Sequence, residues 1–371
     1  MRGRLYIRAL VKSLRRNSRL LLGRSIARLM GPRHCATRLN AAGIGSVLVC
    51  RINGRLGNAV FLTPLIDQIH AMFPGAAIDL AMSFPQAQTL LQKKPGVRQV
   101  IAFPHKGIDL VWRYLAAVRR LRATNYDLVI DPTPESTSGR IVLSLSRARY
   151  RIGFLNGSQW APVTHAIPES PELMHQAIVP VYLLCNVLGV PCDQSGVRLS
   201  LHLQPSEIEA GRAAITKALQ RKNARMGSAG TFGFFAHGTG SKPLERAWWV
   251  AFWKAFLELE PTAVPVEFLP GPATAPTDER FTALHLKSVR DLTAAIATTR
   301  MFISADTGPM HLASATPVPT VGLFQTSDPT LYRPLKSNDL VVDARDCPPW
   351  LAAQKCHALW RLAPRLSYTN A

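Results

Sequence analysis

Two textures of apolar residues alternate along this chain, and they predict its architecture before any single residue is weighed. Short dense runs at 47–50 (VLVC), 77–81 (AIDLA), 97–103 and 128–131 (LVID) have the character of buried strands. Between them, 58–73, 87–92 and 110–122 space their apolar residues three and four apart, as helices do. In 58–73 the stripe is Val60, Leu62, Leu65, Ile66 and Ile69, and Pro74-Gly75 ends it. The alternation returns later, with strands at 231–236, 265–269, 301–304 and 320–324 and helices at 247–259 and 291–299. Strands alternating with helices predict an α/β protein whose parallel sheets are covered on both faces. Proline-rich text at 162–180, with Pro191 and Pro205 beyond it, predicts irregular structure and a boundary near 195–205. The expected division is an arm over 1–43, one unit over 44–200 and a second over 201–371.

The arm changes the picture through its charge. Residues 1–38 contain eleven Arg and Lys and no acid, the first acid being Asp67. Ile7, Leu10, Val11, Leu14, Leu21, Leu22, Ile26 and Leu29 recur at helical spacing with the basic residues largely opposite them, the pattern of a basic amphipathic helix. Such a helix lies on anionic lipid, each basic residue adding about 1 kcal/mol. The same text equally describes a solvated or domain-packed helix, and it has the Arg-rich, acid-free look of a transit peptide. Removing those eleven from the 44 basic residues leaves 33 against 23 acids, so the body keeps a charge of +10 out of the total +21. Its partners are therefore expected to be anionic.

Length and cysteines narrow the class. A chain of 371 residues accommodates two globular units. The six cysteines include no C-x-x-C pair and no His/Cys cluster at zinc spacing, which fits a reducing, cytoplasmic setting. No apolar run reaches the roughly 18–20 residues that span a bilayer. Nucleic acid is not the expected partner, because no helix-turn-helix, zinc finger or RNP-like aromatic motif accompanies the charge.

The stretch richest in chemistry is 302–313, FISADTGPMHLA. A strand stops at a small residue, Asp306-Thr307-Gly308-Pro309 turns the chain, and Met310, Leu312 and Ala313 continue into a helix for which Thr307 suits the N-cap and Pro309 the first turn. A helix opening at a strand's carboxyl end offers backbone N–H groups and a dipole to an anion, and in open α/β sheets ligands collect at that edge. The expectation is a diphosphate cradle. After the first strand the turn reads Arg51-Ile52-Asn53-Gly54-Arg55-Leu56-Gly57, whose Gly54-x-x-Gly57 is not a dinucleotide fingerprint.

Taken together, VLVCRINGRLGNAVFLTPLIDQIHAMFPGAAIDL, HGTGSKPLERAWW, DLTAAIATTRMFISADTGPMHLA and PTVGLFQTSDPTLYRP resemble glycosyltransferase family 9, the ADP-heptose:lipopolysaccharide heptosyltransferase family. The likeness runs from about Val47 to Pro334 and is most specific in DTGPMHLA. It implies a GT-B architecture, two Rossmann-like domains facing a cleft, with the nucleotide-sugar on the C-terminal domain and the acceptor on the N-terminal one. It also implies inversion at the anomeric carbon, no cofactor and no metal, in keeping with the lack of an Asp-x-Asp pair that would hold Mg²⁺ on a diphosphate.

On this resemblance Asp306, Thr307, Gly308 and His311 fall on the phosphate-binding turn, and Ser241, Lys242 and Arg246 supply hydroxyl and basic groups from an earlier loop. Arg51, Arg55 and Gly57 fall on the acceptor side. The family carries Gly-Asp after the first strand, the aspartate being its proposed base, whereas this chain has Gly57-Asn58. An amide accepts no proton, so either Asn58 orients the acceptor hydroxyl while another group, Asp131 foremost, serves as base, or the cleft binds without turnover. The expected partners are a nucleotide-sugar donor, a phosphorylated glycolipid acceptor and an anionic membrane surface met by residues 1–38.

Overall fold

The computed structural model describes residues 38–104, 110–134, 136–155, 163–224, 229–238 and 244–364. The expected arm, apart from residues 38–43, lies outside the described residues, as do Ser241 and Lys242.

The first half alternates as its apolar text does: β1 (Ser46–Arg51), α1 (Leu56–Val60), α2 (Thr63–Met72), β2 (Ala77–Met82), α3 (Ala87–Leu91), β3 (Val97–Ala102), α4 (Leu110–Arg122), β4 (Asn125–Asp131), α5 (Thr137–Leu145), β5 (Arg147–Leu155), β6 (His165–Pro168) and α6 (Val179–Leu188). The second half runs α7 (Pro205–Arg221), β7 (Thr231–Phe235), α8 (Arg246–Leu259), β8 (Val264–Leu269), β9 (Thr282–His285), α9 (Val289–Ile296), β10 (Met301–Ala305), α10 (Gly308–Ser314), β11 (Thr320–Phe324), α11 (Pro329–Tyr332), β12 (Leu340–Asp343) and α12 (Pro349–Leu362).

All pairings are parallel, and the strands form two sheets ordered β3-β2-β1-β4-β5-β6 and β12-β11-β10-β7-β8-β9. Read from its other edge the second order repeats the first: each half places its first strand beside its fourth. That reversal is the switch point of a doubly wound fold, where adjacent crossovers leave to opposite faces and open a crevice at the strands' carboxyl ends. The molecule thus carries two such crevices, one beyond β1 and β4 and one beyond β7 and β10.

Period-2 alternation explains the cores. Val47 and Val49 enter the layer under α2 and α6, while Leu48 and Cys50 enter the layer under α4 and α5. In the second half Phe232 and Phe234 meet Trp249, Phe252, Trp253, Phe256 and Trp360, an aromatic layer that joins α8 and α12 to the sheet.

Two features depart from the sequence expectation. The single helix over 58–73 is two, because Pro64 in the first turn of α2 has no N–H to continue the ladder, and Thr63 Oγ1–H donates to Val60 O at 2.8 Å instead. The text at 162–180, expected to be irregular, holds β6 and the start of α6, whose Pro180 sits in the first turn where a missing N–H costs nothing.

Candidate active site

The two crevices meet. Gly308, opening α10, lies against the side chain of Leu56, and Gly57 lies against the His311 ring. A Cβ at Gly57 would approach His311 Cδ2 to 2.6 Å, and one at Gly308 would approach Leu56 Cδ2 to 2.6 Å, so both turns have glycine where the opposing half comes closest. Phe61, just past α1, packs its ring on His311 at 4.5 Å, on His175 at 5.3 Å and on Tyr332 at 6.3 Å. His175 Nε2–H donates to Arg333 O at 2.9 Å and its Nδ1 accepts from Ala177 N–H at 3.1 Å, while Gln176 N–H donates to Leu331 O at 3.0 Å. Burial lowers the His175 pKa to about 4, so the imidazole is neutral at physiological pH and keeps both bonds.

On the second-half side, Asp306 and His311 are both buried and paired, His311 Nε2 lying 3.2 Å from Asp306 Oδ1. A carboxylate only accepts, so Nε2 is the donor. The His311 Nδ1 is buried with no hydrogen-bond partner among the described residues. Thr307 takes the N-cap position, but its hydroxyl does not cap the helix as the sequence suggests: it pairs with Ser304 Oγ at 2.9 Å. Arg246 begins α8, and its Nε–H donates to Thr277 O at 2.6 Å. Thr277 is fixed in turn by the fully buried Glu267, which accepts its N–H at 2.7 Å, its Oγ1–H at 2.6 Å and His237 Nε2–H at 3.0 Å. A carboxylate in the middle of the apolar run PVEFL is the signal that would have led to this cluster, since a buried charge needs partners.

On the first-half side the chain of contacts starts at Arg51, the last residue of β1, which is buried. Its Nη1–H donates to Thr133 Oγ1 at 2.7 Å and its Nη2–H to Asn58 Oδ1 at 3.3 Å. Burial lowers its pKa to about 10, against the charges of Asp131 and Tyr332, which hold it up, so it remains a cation at neutral pH. Asp131 ends β4 fully buried, with Oδ2 at 3.3 Å from Arg140 Nε and Oδ1 accepting from Thr133 N–H at 3.3 Å. Burial raises its pKa to about 6 against the opposing pull of Arg140. Its carboxylate is fully buried, and Thr133, which it holds, is in turn bonded by Arg51. Arg55 stands exposed before α1 with no side-chain capping bond. Thus Arg51, Gly57, Asn58, Thr307, Gly308 and His311 come together across the cleft and Asp131 stands behind, while Arg246 opens the helix that follows β7, the strand beside β10. Thr133 and the ring cluster of Phe61, His175 and Tyr332 were not legible beforehand, because no spacing in the sequence ties them to either turn.

The comparisons with known proteins agree with this geometry. The sequence model of glycosyltransferase family 9 (heptosyltransferase) matches residues 282–359, from β9 into α12. Lipopolysaccharide heptosyltransferase 3 of Escherichia coli (strain K12) is 23% identical over 299 residues, covering 76% of this chain and 83% of that protein. Among solved structures, the glycosyl transferase family 9 protein from Veillonella parvula DSM 2008 superposes with a TM-score of 0.67 at 19% identity, covering 91% of this chain and 94% of that one. The E. coli heptosyltransferase WaaC with ADP gives 0.65 at 17% identity over 85% of this chain and 99% of that one. Two sheets wound in one order, turns that meet at their switch points and a family match that spans the second of them point the same way: the chain is similar to the heptosyltransferases of glycosyltransferase family 9, whose sequence model matches residues 282–359.

Proposed function

We propose that this enzyme transfers a heptose, or a closely related sugar, from a nucleotide-diphosphate donor of the ADP-heptose kind to a lipopolysaccharide core-type acceptor, with inversion and without a metal. The observation that carries this reading is the meeting of the Gly57-Asn58 turn with the Thr307–His311 turn across the two switch points. A donor held on the second turn presents its anomeric carbon to an acceptor held on the first. The donor's diphosphate is met by the Thr307-Gly308 turn, by the start of α10 and by Arg246, groups that stabilise negative charge on a departing diphosphate as a cation would; the resemblance adds Ser241 and Lys242, outside the described residues, to this set. The acceptor half offers the exposed Arg55, on the turn after β1, to an anionic glycolipid, and no Asp-x-Asp pair exists in the sequence to bring Mg²⁺. In this reading residues 44–200 form the acceptor domain and 201–371 the donor domain, working at the inner face of a bacterial membrane. Among the described residues no helix is long and apolar enough to cross one.

The test is a panel of nucleotide-sugars with product detection. Transfer from an ADP-linked heptose that persists in chelator is the expected outcome; a strict Mg²⁺ requirement or no use of any heptose donor overturns it. Arg246→Ala removes a charge-assisted phosphate contact worth about 1.5–3 kcal/mol, so nucleotide-diphosphate affinity should fall roughly ten- to a hundredfold by calorimetric titration. An affinity within twofold of the parent assigns Arg246 to Thr277 alone. Gly57→Ala should weaken donor binding and slow transfer together, because its Cβ displaces the His311 ring from beside Asp306. Unchanged kinetics would mean that the cleft widens without cost.

One observation favours a second reading. Asn58 stands where the family carries its base and is already engaged by Arg51, so a protein that binds nucleotide-sugar and turns it over slowly, or not at all, is the alternative.

A further inference from the structure

Four of the large exposed apolar side chains lie in the first two turns of one helix: Leu110, Val111, Trp112 and Leu115 on α4, with Val111 65%, Trp112 75% and Leu115 52% exposed. The helix is anchored by its opposite face, where Ala117 and Leu121 are buried and the Tyr114 ring meets Phe103 at 5.3 Å. Val111, Trp112 and Leu115 share an outward face at i, i+1 and i+4, and Arg119 and Arg122 continue that face toward the helix end. Arg113 and Arg120 flank it, and the helix contains no acid. A Trp at this exposure has no folding reason to be there, because burying it elsewhere would stabilise the fold.

From this face we infer that α4 is a lipid-docking surface, its apolar start entering the interfacial layer of an anionic bilayer and its arginines meeting the headgroups. Charge complementarity selects the occupant. The arm carries eleven Arg and Lys without an acid, and a second copy would present the same four arginines, so both repel this face. A nucleic acid satisfies the arginines and leaves Val111 and Leu115 in water, whereas a bilayer interface takes both kinds of group. Position agrees as well. Phe103 follows the carboxyl end of β3, and in a parallel sheet that end shares its edge with the ends of β1 and β4, so the apolar turns of α4 stand on the rim that carries Arg51 and Asn58. A glycolipid acceptor would then arrive from the bilayer at the acceptor crevice directly. The inference deepens the glycolipid-acceptor reading and rests on it for the purpose of the surface, while lipid binding itself is measured without any sugar transfer.

The experiment is co-sedimentation of the full chain with vesicles of phosphatidylglycerol and phosphatidylcholine, against phosphatidylcholine alone, and against a random RNA in the same buffer. The paired substitution Trp112→Ser with Leu115→Ser alters only exposed positions and is expected to lower partitioning onto the anionic vesicles about tenfold or more. Arg119→Gln with Arg122→Gln should lower it at low salt, with the difference fading at high salt. Circular dichroism and nucleotide affinity of both variants should match the parent. Partitioning that survives the Trp112 and Leu115 substitutions, or that ignores the lipid's charge, overturns the inference; so does RNA binding that falls with these variants while vesicle binding does not. A chain that docks through α4 and uses no heptose donor would remove the sugar-transfer reading and leave the lipid surface standing.

Discussion

Replacing Arg290 by alanine is expected to destabilise the chain by about 3–5 kcal/mol and to uncouple its halves, the largest stability effect the structure predicts for one exchange. The guanidinium is buried, and its Nε–H and Nη2–H donate to Glu207 at 2.6 and 2.9 Å. Nη1–H reaches Leu90 O at 3.0 Å and Leu201 O at 3.2 Å, and Nη2–H also reaches His202 O at 3.1 Å. Those acceptors belong to α3 of the first half, to the connection between the halves and to α7, so one side chain on α9 ties the three. The connection also holds His202 at a φ of 49, in the left-handed region, a strain that the bond to its carbonyl helps to hold. Lysine has neither the planar fork nor enough donors to replace it, and Arg290→Lys should recover only a minor part of the loss.

The same pair has a pH signature. The Arg290 hydrogen bond holds the Glu207 carboxyl down at about 2, against an ordinary value of 4.5. A depressed carboxyl contributes stability that is complete above the ordinary value and is lost as pH falls through about 2. Urea unfolding of the parent and Arg290→Ala should therefore show a constant gap at neutral pH that narrows below about 4.5. A gap that stays the same down to about pH 2 would mean that the carbonyl contacts, and not the ion pair, supply the difference.

Apolar periodicity was enough to place most strands of both sheets, because a strand buried on both faces reads as an unbroken apolar run. It did not reveal β5, whose first half alternates with arginines, nor the short β6, β9 and β12, nor the break between α1 and α2, where a single proline overrides a continuous apolar stripe. The turns at Gly57 and Thr307 were legible because glycine at a strand's carboxyl end has a backbone reason. What joins them was not: the Phe61 cluster and the Arg290 clamp depend on contacts between residues more than eighty positions apart, and no local pattern encodes such a distance. Asn58 was legible as a departure from its family, but only the structure shows which way its amide points.

That direction shapes the second large prediction, Asn58→Asp. A guanidinium has donors only, so the amide atom that faces Arg51 Nη2 is the oxygen, and the NH₂ group turns away from Arg51. An acceptor hydroxyl meeting that NH₂ can be oriented by it but cannot give it a proton. The parent should therefore transfer slowly if position 58 is where deprotonation occurs. In Asn58→Asp one carboxylate oxygen replaces the amide oxygen toward Arg51 and the other replaces the NH₂, so a proton acceptor appears in the place of a donor. A positioned base contributes about 10²–10⁴-fold, and pairing with Arg51 lowers the new carboxyl's pKa and so its basicity, which puts the expected gain near the lower end of that range. Adding Arg51→Gln should relieve the pairing and shift the acid limb of the rate profile upward. Donor affinity should hardly change, because the donor turn belongs to the other half. The measurement is transfer to a sugar-lipid across pH for the parent, Asn58→Asp, the double variant and Asp131→Asn. A parent that turns over briskly, gains nothing from Asn58→Asp and fails in Asp131→Asn would assign the role of base to Asp131, which stands behind Thr133 and Arg51. If every variant binds nucleotide and none transfers sugar, the missing base is not what limits the cleft, and the binding-protein reading replaces the enzyme.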